Sequence, residues 1–575
     1  MLVVIDTLRA DHLTPYGWPV PTSANLDVTL ARRGVVVERA YSQAPWTVPS
    51  MVSLMAGRWP GEVMGRTIIQ YGIPAGVPSL ASTLQGLGYE TAAFVGNPVL
   101  DPKVGFAAGF KQYYHPASGT ATSTAVPSAS SPSATATPRW EGADHLTRLA
   151  KQWLRARRAD TPYFLYVHYV EPHDPYESPE VVSGRSPFFP DYRGEVNGTW
   201  PQGLLLGRIQ LGDPASDLRH LRALYDSEIH TADRWLGALL NGFDAAAKAR
   251  TLFVVTSDHG EELYDHGSWK HGRTMYEEQL RVPLVIRWDG QLPAGARVPG
   301  PVRLLDIAPT LVAAAGGTPP RAWQGEDLLP LLRGELRPRP RPPNYASHFL
   351  DGPRRPSALL GRWKLALFDR AARITPADAY ASLLYKAEMA RLPRIVLFDL
   401  SKDPRERHDL SAQHPDFVAG LGGIVQDHLG REVPGLRVLL TGVKAGVRVV
   451  AELRFRRPVR SWESCFLGPG DRVELDGDRL RLTLVGEALP KGVLLPEETE
   501  IVAVNVSTPA GVVVRLANGL PHRGGVVPAA GLRRDRWPAG GGARLLLWQP
   551  ERPPQPAMES DPEAGKRLQS LGYAG

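Results

Sequence analysis

The 575-residue chain contains a single cysteine, Cys465. One cysteine excludes disulfide bonds within the chain and metal sites built from several thiolates. The sequence also lacks any apolar run close to the ~20 residues that a membrane-spanning helix needs. Its basic residues are dispersed, without a run of five or more, and no recognisable nucleic-acid-binding motif accompanies the net charge of +7. We therefore predict no membrane span and no nucleic-acid partner.

Glycine and proline are abundant instead, with 57 and 54 residues. Both penalise helix interiors, so their density argues against a long coiled coil or an array of helical hairpins. Hydrophobic residues make up 43% and charged residues 22%, values that are typical of a globular protein and exclude wholesale disorder.

The organisation of the chain changes twice along its length. Short apolar runs alternate with helical patterns over residues 1–432, which predicts an α/β fold with a mostly parallel sheet sandwiched by helices. An Ala/Ser/Thr/Pro-rich stretch at about 115–138 cannot bury enough apolar surface to fold, so we interpret it as a flexible insertion. Short alternating runs over 436–550 predict a smaller β-rich domain, a sandwich or barrel, and 551–575 form a tail.

The start of the chain leaves its location open. Met1 leads directly into the strand pattern Leu2–Ile5, without the features of a signal peptide. We expect a periplasmic or extracellular protein if an export segment lies upstream of the recorded start, and a cytoplasmic one otherwise.

Two predicted strands are followed by residues of the types that commonly bind metals. Asp6 follows the strand Leu2–Ile5, and Asp258 and His259 follow the strand Thr251–Thr256. Catalytic groups of open α/β sheets gather at the carboxyl ends of strands. An aspartate at a strand end is alone more often a helix cap, but the two tips together favour a metal site. The imidazole favours Zn²⁺ or Mn²⁺ over Ca²⁺ or Mg²⁺, which prefer oxygen ligands.

Thr47 lies in a third candidate element, between Pro45 and Pro49 and ahead of the apolar run Val52–Ala56. The pattern predicts that Thr47 and Ser50 lie at a helix N-terminus, where free N–H groups attract an anion. Beside a divalent metal, the threonine hydroxyl could attack a phosphate or sulfate. The simpler alternative is a helix cap.

Further polar residues near these elements could bind an anion or protonate a leaving oxygen, and the histidines among them could hold a second metal. They are His168, His173, His266, Lys270, His271 and Arg9. The alternative is that the histidines serve the structure of their loops and that Arg9 pairs with an acidic neighbour.

Several segments occur in the order found in a known family: Ile5–Leu13, Tyr16–Gly17, Ser23–Asp27, Thr47–Ser50, Gly105–Phe106, His168–Tyr176, Tyr225–Ile229, Ser257–Glu261, Tyr276–Leu284, Asp306–Leu311, Leu397–Leu400 and Asp403–Pro404. They resemble the sulfatase-like branch of the alkaline phosphatase superfamily and span residues 1 to about 430. The resemblance implies that residues 1–432 are a metal-dependent catalytic domain. Its substrate would be a phosphate or sulfate ester, carried by a small molecule or a polymer.

The chain departs from this family at the nucleophile. Sulfatases of the family carry a cysteine or serine, matured to formylglycine, where this sequence has Thr47, and an arginine where it has Met51. Thr7 replaces a second leading aspartate, and His259 replaces an asparagine. Because threonine cannot become formylglycine, these departures argue against the usual sulfatase chemistry.

The set Asp6, Thr47, Asp258 and His259 is similar to the single-metal core of phosphoglycerol and phosphoethanolamine transferases. In those relatives threonine is the covalent nucleophile, and a histidine takes the position of His271.

The resulting prediction is a metal-dependent hydrolase that acts through a covalent Thr47 ester, with phosphoesters favoured over sulfates. The catalytic residues would be Thr47, His271 and His173, the metal ligands Asp6, Asp258 and His259, and the substrate-binding residues His168, His266, Lys270 and Arg9. The alternatives are a transferase of the phosphoglycerol or phosphoethanolamine type and an inactive glycan-binding module. The lack of membrane spans favours the hydrolase over the transferase.

Overall fold

The structure is a computed structural model. It describes residues 1–64, 72–116, 141–181, 184–205, 210–335, 342–347, 355–368, 392–432, 435–495, 501–507, 515–516 and 544–548. Most of the predicted insertion and the whole predicted tail lie outside these residues. The chain divides into two compact units, Met1–Leu350 and Asp351–Gln555. The domain limits expected at 432 and 436 stay a prediction.

The strands of the first unit are β1 Leu2–Ile5, β2 Val35–Tyr41, β3 Glu90–Val95, β4 Gln112–Tyr114, β5 Tyr163–Tyr169, β6 Phe253–Thr256, β7 Glu262–Leu263, β8 Trp269–Lys270, β9 Arg281–Arg287, β10 Ala296–Val298, β11 Val302–Arg303 and β12 Asn344–Ser347. Nine of them form one sheet in the order β10-β2-β9-β6-β1-β5-β3-β4, with β11 beside β2.

The α-helices of this unit are α1 Thr47–Ala56, α2 Leu80–Gly86, α3 Ala143–Ala156, α4 Trp200–Leu205, α5 Pro214–Leu240, α6 Ala245–Ala249, α7 Glu277–Leu280, α8 Ile307–Ala314 and α9 Leu329–Leu332. A π-helical turn, Leu26–Leu30, and a 3₁₀ turn, Ala31–Arg33, precede strand β2.

The centre of the sheet is parallel. In β1, Leu2 pairs with Tyr166 of β5 on one side and with Val254 of β6 on the other. β3 continues the parallel order beyond β5, whereas β9 runs antiparallel to β2 and β6. The predicted fold, a mostly parallel sheet with helices on its faces, is confirmed.

Strand β1 is buried on both faces, which explains its unbroken apolar run. Leu2 and Val4 belong to one hydrophobic core, with residues of α1, α2 and α8, whereas Val3 and Ile5 belong to a second core, with residues of α3 and α5. Each fully buried aliphatic side chain stabilises the fold by about 1.5–3 kcal/mol. Packing in both cores holds β1 in place between β5 and β6 and so fixes where the strand ends.

The parallel arrangement brings the strand ends to one edge of the sheet. Asp6 follows β1 directly, and its amide donates to the carbonyl of Tyr169, the last residue of β5, over 3.0 Å. Asp258 lies two residues beyond the end of the neighbouring strand β6. Residues that are about 250 positions apart in the chain therefore meet at this edge.

The second unit begins with an antiparallel sheet, β13 Pro356–Leu360, β14 Trp363–Leu367 and β15 Ile395–Asp399, and a helix, α10 Pro415–Glu432. Nine strands follow: β16 Leu436–Thr441, β17 Arg448–Phe455, β18 Glu463–Cys465, β19 Arg472–Asp476, β20 Arg479–Val485, β21 Lys491–Leu495, β22 Ile501–Ser507, β23 Arg515–Leu516 and β24 Arg544–Trp548.

These nine strands form two sheets, in the orders β18-β21-β16-β24-β23 and β19-β20-β17-β22. Residues of both sheets share one hydrophobic core, and the alternating burial along β17 shows that one face points into it. The predicted β-rich character of this region is confirmed.

Among the residues that the structure describes, no helix combines the length and the apolar character that crossing a membrane requires.

Tyr225 of α5 forms hydrogen bonds to the backbone that follows β1. Its hydroxyl accepts from the amide of Arg9 over 3.0 Å and donates to the carbonyl of Thr7 over 2.7 Å. Tyr176 is buried to the same degree, but its hydroxyl has no hydrogen-bond partner. The two tyrosines therefore form a matched pair.

We expect Tyr225→Phe to lower the free energy of unfolding of the first unit by about 2–4 kcal/mol, because two backbone groups lose their partner. Tyr176→Phe should change it by less than about 0.5 kcal/mol, since no hydrogen bond is lost. Calorimetric melting of both variants measures the difference, and equal shifts would contradict the assigned role of Tyr225.

Candidate active site

Three side chains at the strand edge could hold a metal ion. One ligand atom each from Asp6, Asp258 and His259 lies within 4.8 Å of the others, and all three residues are buried. Asp6 Oδ1 and Asp258 Oδ2 have no hydrogen-bond partner. His259 Nδ1 donates to the carbonyl of Gly260 over 2.9 Å, which leaves the Nε2 lone pair available. Two bare carboxylate oxygens and an imidazole nitrogen fit a divalent cation such as Zn²⁺ or Mn²⁺.

Burial and neighbouring charges shift the pKa values of the two carboxyl groups, Asp6 and Asp258. Burial raises the pKa of Asp258, and the nearby Asp6 carboxylate raises it further. Burial opposes ionisation of Asp6 too, but a hydrogen bond from His168 and the surrounding imidazoles lower its pKa. A divalent cation would allow both carboxylates to remain ionised.

The second oxygen of Asp6 is held by two side chains. His168 Nε2 donates to Asp6 Oδ2 over 3.2 Å, and the Tyr166 hydroxyl donates to His168 Nδ1 over 2.7 Å. Asn97 Nδ2 donates to the same oxygen over 2.6 Å. His168, predicted to bind substrate, instead orients Asp6 from inside the protein.

Asn97 was not among the predicted site residues. It follows strand β3, which ends at Val95 at the same edge of the sheet. The sequence pattern that identified Asp6, a polar residue just after a predicted strand, also applies to Asn97.

Thr47 is the first residue of α1, and its hydroxyl faces the metal-ligand group. Thr47 Oγ1 lies 3.3 Å from His259 Nε2 and 3.4 Å from Asn97 Nδ2. Ser50 is turned elsewhere, since its hydroxyl donates to the carbonyl of Ala44 over 2.8 Å. Only the first of the two predicted hydroxyls therefore belongs to the site.

Thr7 lies between Asp6 and the next turn in a left-handed conformation, with φ of 53°. This region is unfavourable for a β-branched residue and costs about 1–3 kcal/mol. Its amide donates to Asp258 Oδ1 over 3.3 Å, so the strained turn helps to hold one predicted ligand in place.

A cluster of imidazoles completes the site. The ring of His271 lies 4.4 Å from that of His259 and 5.0 Å from that of His173, measured between ring centroids. Lys270 Nζ contacts Asp174 Oδ2 at 3.2 Å. The structure therefore brings both predicted catalytic histidines to the edge that carries Thr47.

His271 also contacts a buried carboxylate. Its Nδ1 lies 3.2 Å from both carboxylate oxygens of Glu261. Burial lowers the pKa of His271 well below its ordinary value, and the imidazoles of His259 and His173 add to the effect. Burial raises the pKa of Glu261, as does the neighbouring Asp174.

The Arg9 guanidinium is engaged by acidic side chains. Its guanidinium donates to Asp11 over 2.8 Å and to Asp265 over 2.6 Å. Although burial acts against it, the guanidinium lowers the pKa of Asp265 to about 2. Because two carboxylates already engage Arg9, the structure favours the ion-pair alternative over contact with substrate.

His266 is likewise engaged elsewhere. Its Nδ1 donates to Glu278 Oε1 over 2.6 Å, and its ring stacks on Tyr276 at a centroid distance of 3.7 Å. These contacts support the structural alternative for His266 rather than the predicted contact with substrate.

The fold is alkaline phosphatase-like, and the sulfatase family match and its relatives support an ester-hydrolysing enzyme. The sulfatase family model matches residues 1–317, more than half of the chain. The chain belongs to the sulfatase family. Members of this family generally bind a divalent metal ion, and the Asp6, Asp258 and His259 group is a possible site for one.

Curated relatives agree with this assignment. Mouse steryl-sulfatase is 26% identical over 521 residues, which cover 76% of this chain and 82% of that protein. Mouse arylsulfatase K is 27% identical, and the match covers 50% of this chain but only 52% of that protein. The multifunctional alkaline phosphatase superfamily protein PehA of Trinickia caryophylli is 30% identical over 211 residues, 32% of this chain and 40% of PehA.

Solved structures show the same fold. A protein bound to its substrate D-glucosamine-2-N,6-O-disulfate superimposes with a TM-score of 0.57 at 18% identity, covering 75% of this chain and 97% of that one. The phosphonate monoester hydrolase of Agrobacterium radiobacter gives a TM-score of 0.53 at 22% identity, covering 74% and 94%.

We expect Asp258→Asn to lose most of its bound metal on dialysis, because an anionic ligand oxygen is removed. After chelation the same variant should melt about 2–4 °C above the chelated wild type, since the repulsion from Asp6 is relieved. Elemental analysis and melting curves measure the two effects. Asp11→Asn, which changes a carboxylate paired with Arg9, is the control, and equal metal loss in both variants would contradict the ligand assignment.

Proposed function

We propose that the protein hydrolyses phosphate or sulfate esters through a covalent Thr47 ester, with phosphoesters as the favoured class. The observation that carries the proposal is the position of the Thr47 hydroxyl, 3.3 Å from His259 Nε2 at the first turn of α1. A buried hydroxyl beside a cluster of metal-binding side chains is suited to nucleophilic attack.

The predicted ligands and Thr47 have distinct parts in this mechanism. A divalent ion bound by Asp6, Asp258 and His259 would supply Lewis-acid polarisation of the ester and would lower the pKa of the nearby hydroxyl. His168 and Asn97 hold the Asp6 carboxylate in one orientation. The Asn97 amide also lies 3.4 Å from Thr47 Oγ1, where it helps to orient the nucleophile.

In the first step Thr47 Oγ1 forms a bond to the phosphorus or sulfur, and the bond to the ester oxygen breaks. A neutral His271 or His173 takes the hydroxyl proton of Thr47 and gives it to the departing oxygen, so the protons balance. In the second step water attacks the same centre, the bond to Oγ1 breaks, and Thr47 regains a proton. The products are an alcohol and a phosphate or sulfate.

The charges around the site favour a substrate with one negative charge. Lys270 is paired with Asp174, and Arg9 is paired with Asp11 and Asp265. Where sulfatases of the family carry an arginine, Met51 is buried in the hydrophobic core. Because Lys270 and Arg9 already have carboxylate partners, a phosphodiester or phosphonate monoester fits better than a phosphate monoester with two charges. The likeness to a phosphonate monoester hydrolase supports this class.

We expect Thr47→Ala to lower kcat/KM by about 10⁴-fold on any substrate of the wild type. Ser50→Ala, which removes a hydroxyl three residues away, should retain activity within about threefold. Mass spectrometry of quenched wild type should find a phosphoryl or sulfuryl group on the Thr47 peptide, and none in Thr47→Ala. Activity that survives Thr47→Ala would exclude this nucleophile.

The expected preference for a substrate with one negative charge can be tested separately. We expect kcat/KM for bis(4-nitrophenyl) phosphate to exceed that for 4-nitrophenyl phosphate by at least about tenfold, which corresponds to 1.4 kcal/mol of transition-state stabilisation. 4-Nitrophenyl sulfate, which also carries one charge, tests the preference for phosphorus over sulfur. A faster reaction with the monoester would contradict the charge argument, and a faster reaction with the sulfate would contradict the preference for phosphorus.

A further inference from the structure

Glu261 is a buried carboxylate that the proposed reaction leaves without a part. It has no exposed surface and lies two residues beyond His259, before strand β7. Both of its oxygens lie 3.2 Å from His271 Nδ1. Burying a carboxylate costs free energy unless the carboxylate is paired or hydrogen-bonded.

We propose that Glu261 is a positioning residue that fixes the ring of His271 for the reaction at Thr47, an inference that rests on the proposed function. The two nitrogens of an imidazole point away from each other, so a contact at Nδ1 directs Nε2 away from Glu261. The ring is then constrained on two further sides, by His259 at 4.4 Å and His173 at 5.0 Å.

The backbone of Glu261 is itself held firmly. Arg9 Nη1 donates to the Glu261 carbonyl over 3.1 Å, and the Arg9 guanidinium is fixed in turn by Asp11 and Asp265. A Cβ on the preceding Gly260 would lie 2.0 Å from the carbonyl oxygen of Glu278, so no larger residue fits there. Arg9 thus contributes to the site through the main chain of Glu261.

His271 is linked through the next residue to the loop that precedes Thr47. The amide of Gly272, the residue after His271, donates to the carbonyl of Pro45 over 2.8 Å. Pro45 lies two residues before Thr47. The contact between Glu261 and His271 therefore joins the loop after the metal ligands to the loop that carries the nucleophile.

The test compares two phosphodiesters that share one phosphoryl group, one leaving as 4-nitrophenolate and the other as an alkyl alcohol. Only the alkyl alcohol needs a well-placed proton donor to leave. We expect Glu261→Met to lower kcat/KM on the alkyl ester by about 100-fold and on the nitrophenyl ester by less than about threefold. Glu261→Gln keeps an oxygen that can accept from Nδ1–H, so it should stay within about threefold of the wild type on both.

Melting temperature and metal content of each variant serve as controls for folding, and Glu261→Ala replaces Glu261→Met if the latter does not fold. Equal losses on the two esters would overturn the proposal, because a structural defect does not depend on the leaving group. Loss in Glu261→Gln as large as in Glu261→Met would also overturn it, since orientation would then not be the requirement. Failure of the proposed function is separate, because it appears as activity that survives Thr47→Ala.

Discussion

The structure of the first unit depends on how it accommodates two carboxyl groups buried side by side. Asp6 and Asp258 lie at the ends of neighbouring strands with no exposed surface, and one oxygen of each has no hydrogen-bond partner. The effective cost of removing an ion from water in a protein is several kcal/mol. Such an arrangement is stable only if neighbouring groups offset this desolvation cost. The residues around Asp6 and Asp258 provide this stabilisation.

Side chains and backbone amides from several segments at the sheet edge stabilise the two carboxyl groups. Strand β5 supplies His168, and the turn after β3 supplies Asn97, both bonded to Asp6. The amides of Thr7 and His259 donate to Asp258. What remains uncompensated is a pair of oxygens beside an imidazole, which is the chemical description of a cation site. The function proposed for Thr47 follows from its place beside this site.

Several site residues could be predicted from the sequence because their signals are local. Asp6 and Asp258 each follow a short apolar strand, and parallel strands place their ends at one edge of the sheet. Asn97 carries the same signal and was missed. Arg9 and His266 show the limit of such reasoning, because their partners Asp265 and Glu278 bear no local mark of the pairing.

The sequence by itself determined the fold class, which follows from hydrophobic runs that are properties of short segments. The predicted ligands and the predicted nucleophile Thr47 followed from residue types at strand and helix ends together with the resemblance to a family. Only the tertiary structure decided which charged groups face one another. Arg9 meets Asp265 across 256 positions of the chain, and His271 meets Glu261 because strands β7 and β8 pair beside them. Because electrostatic contacts depend on distances of a few ångströms, the packed fold alone assigns a polar side chain to the site or to its support.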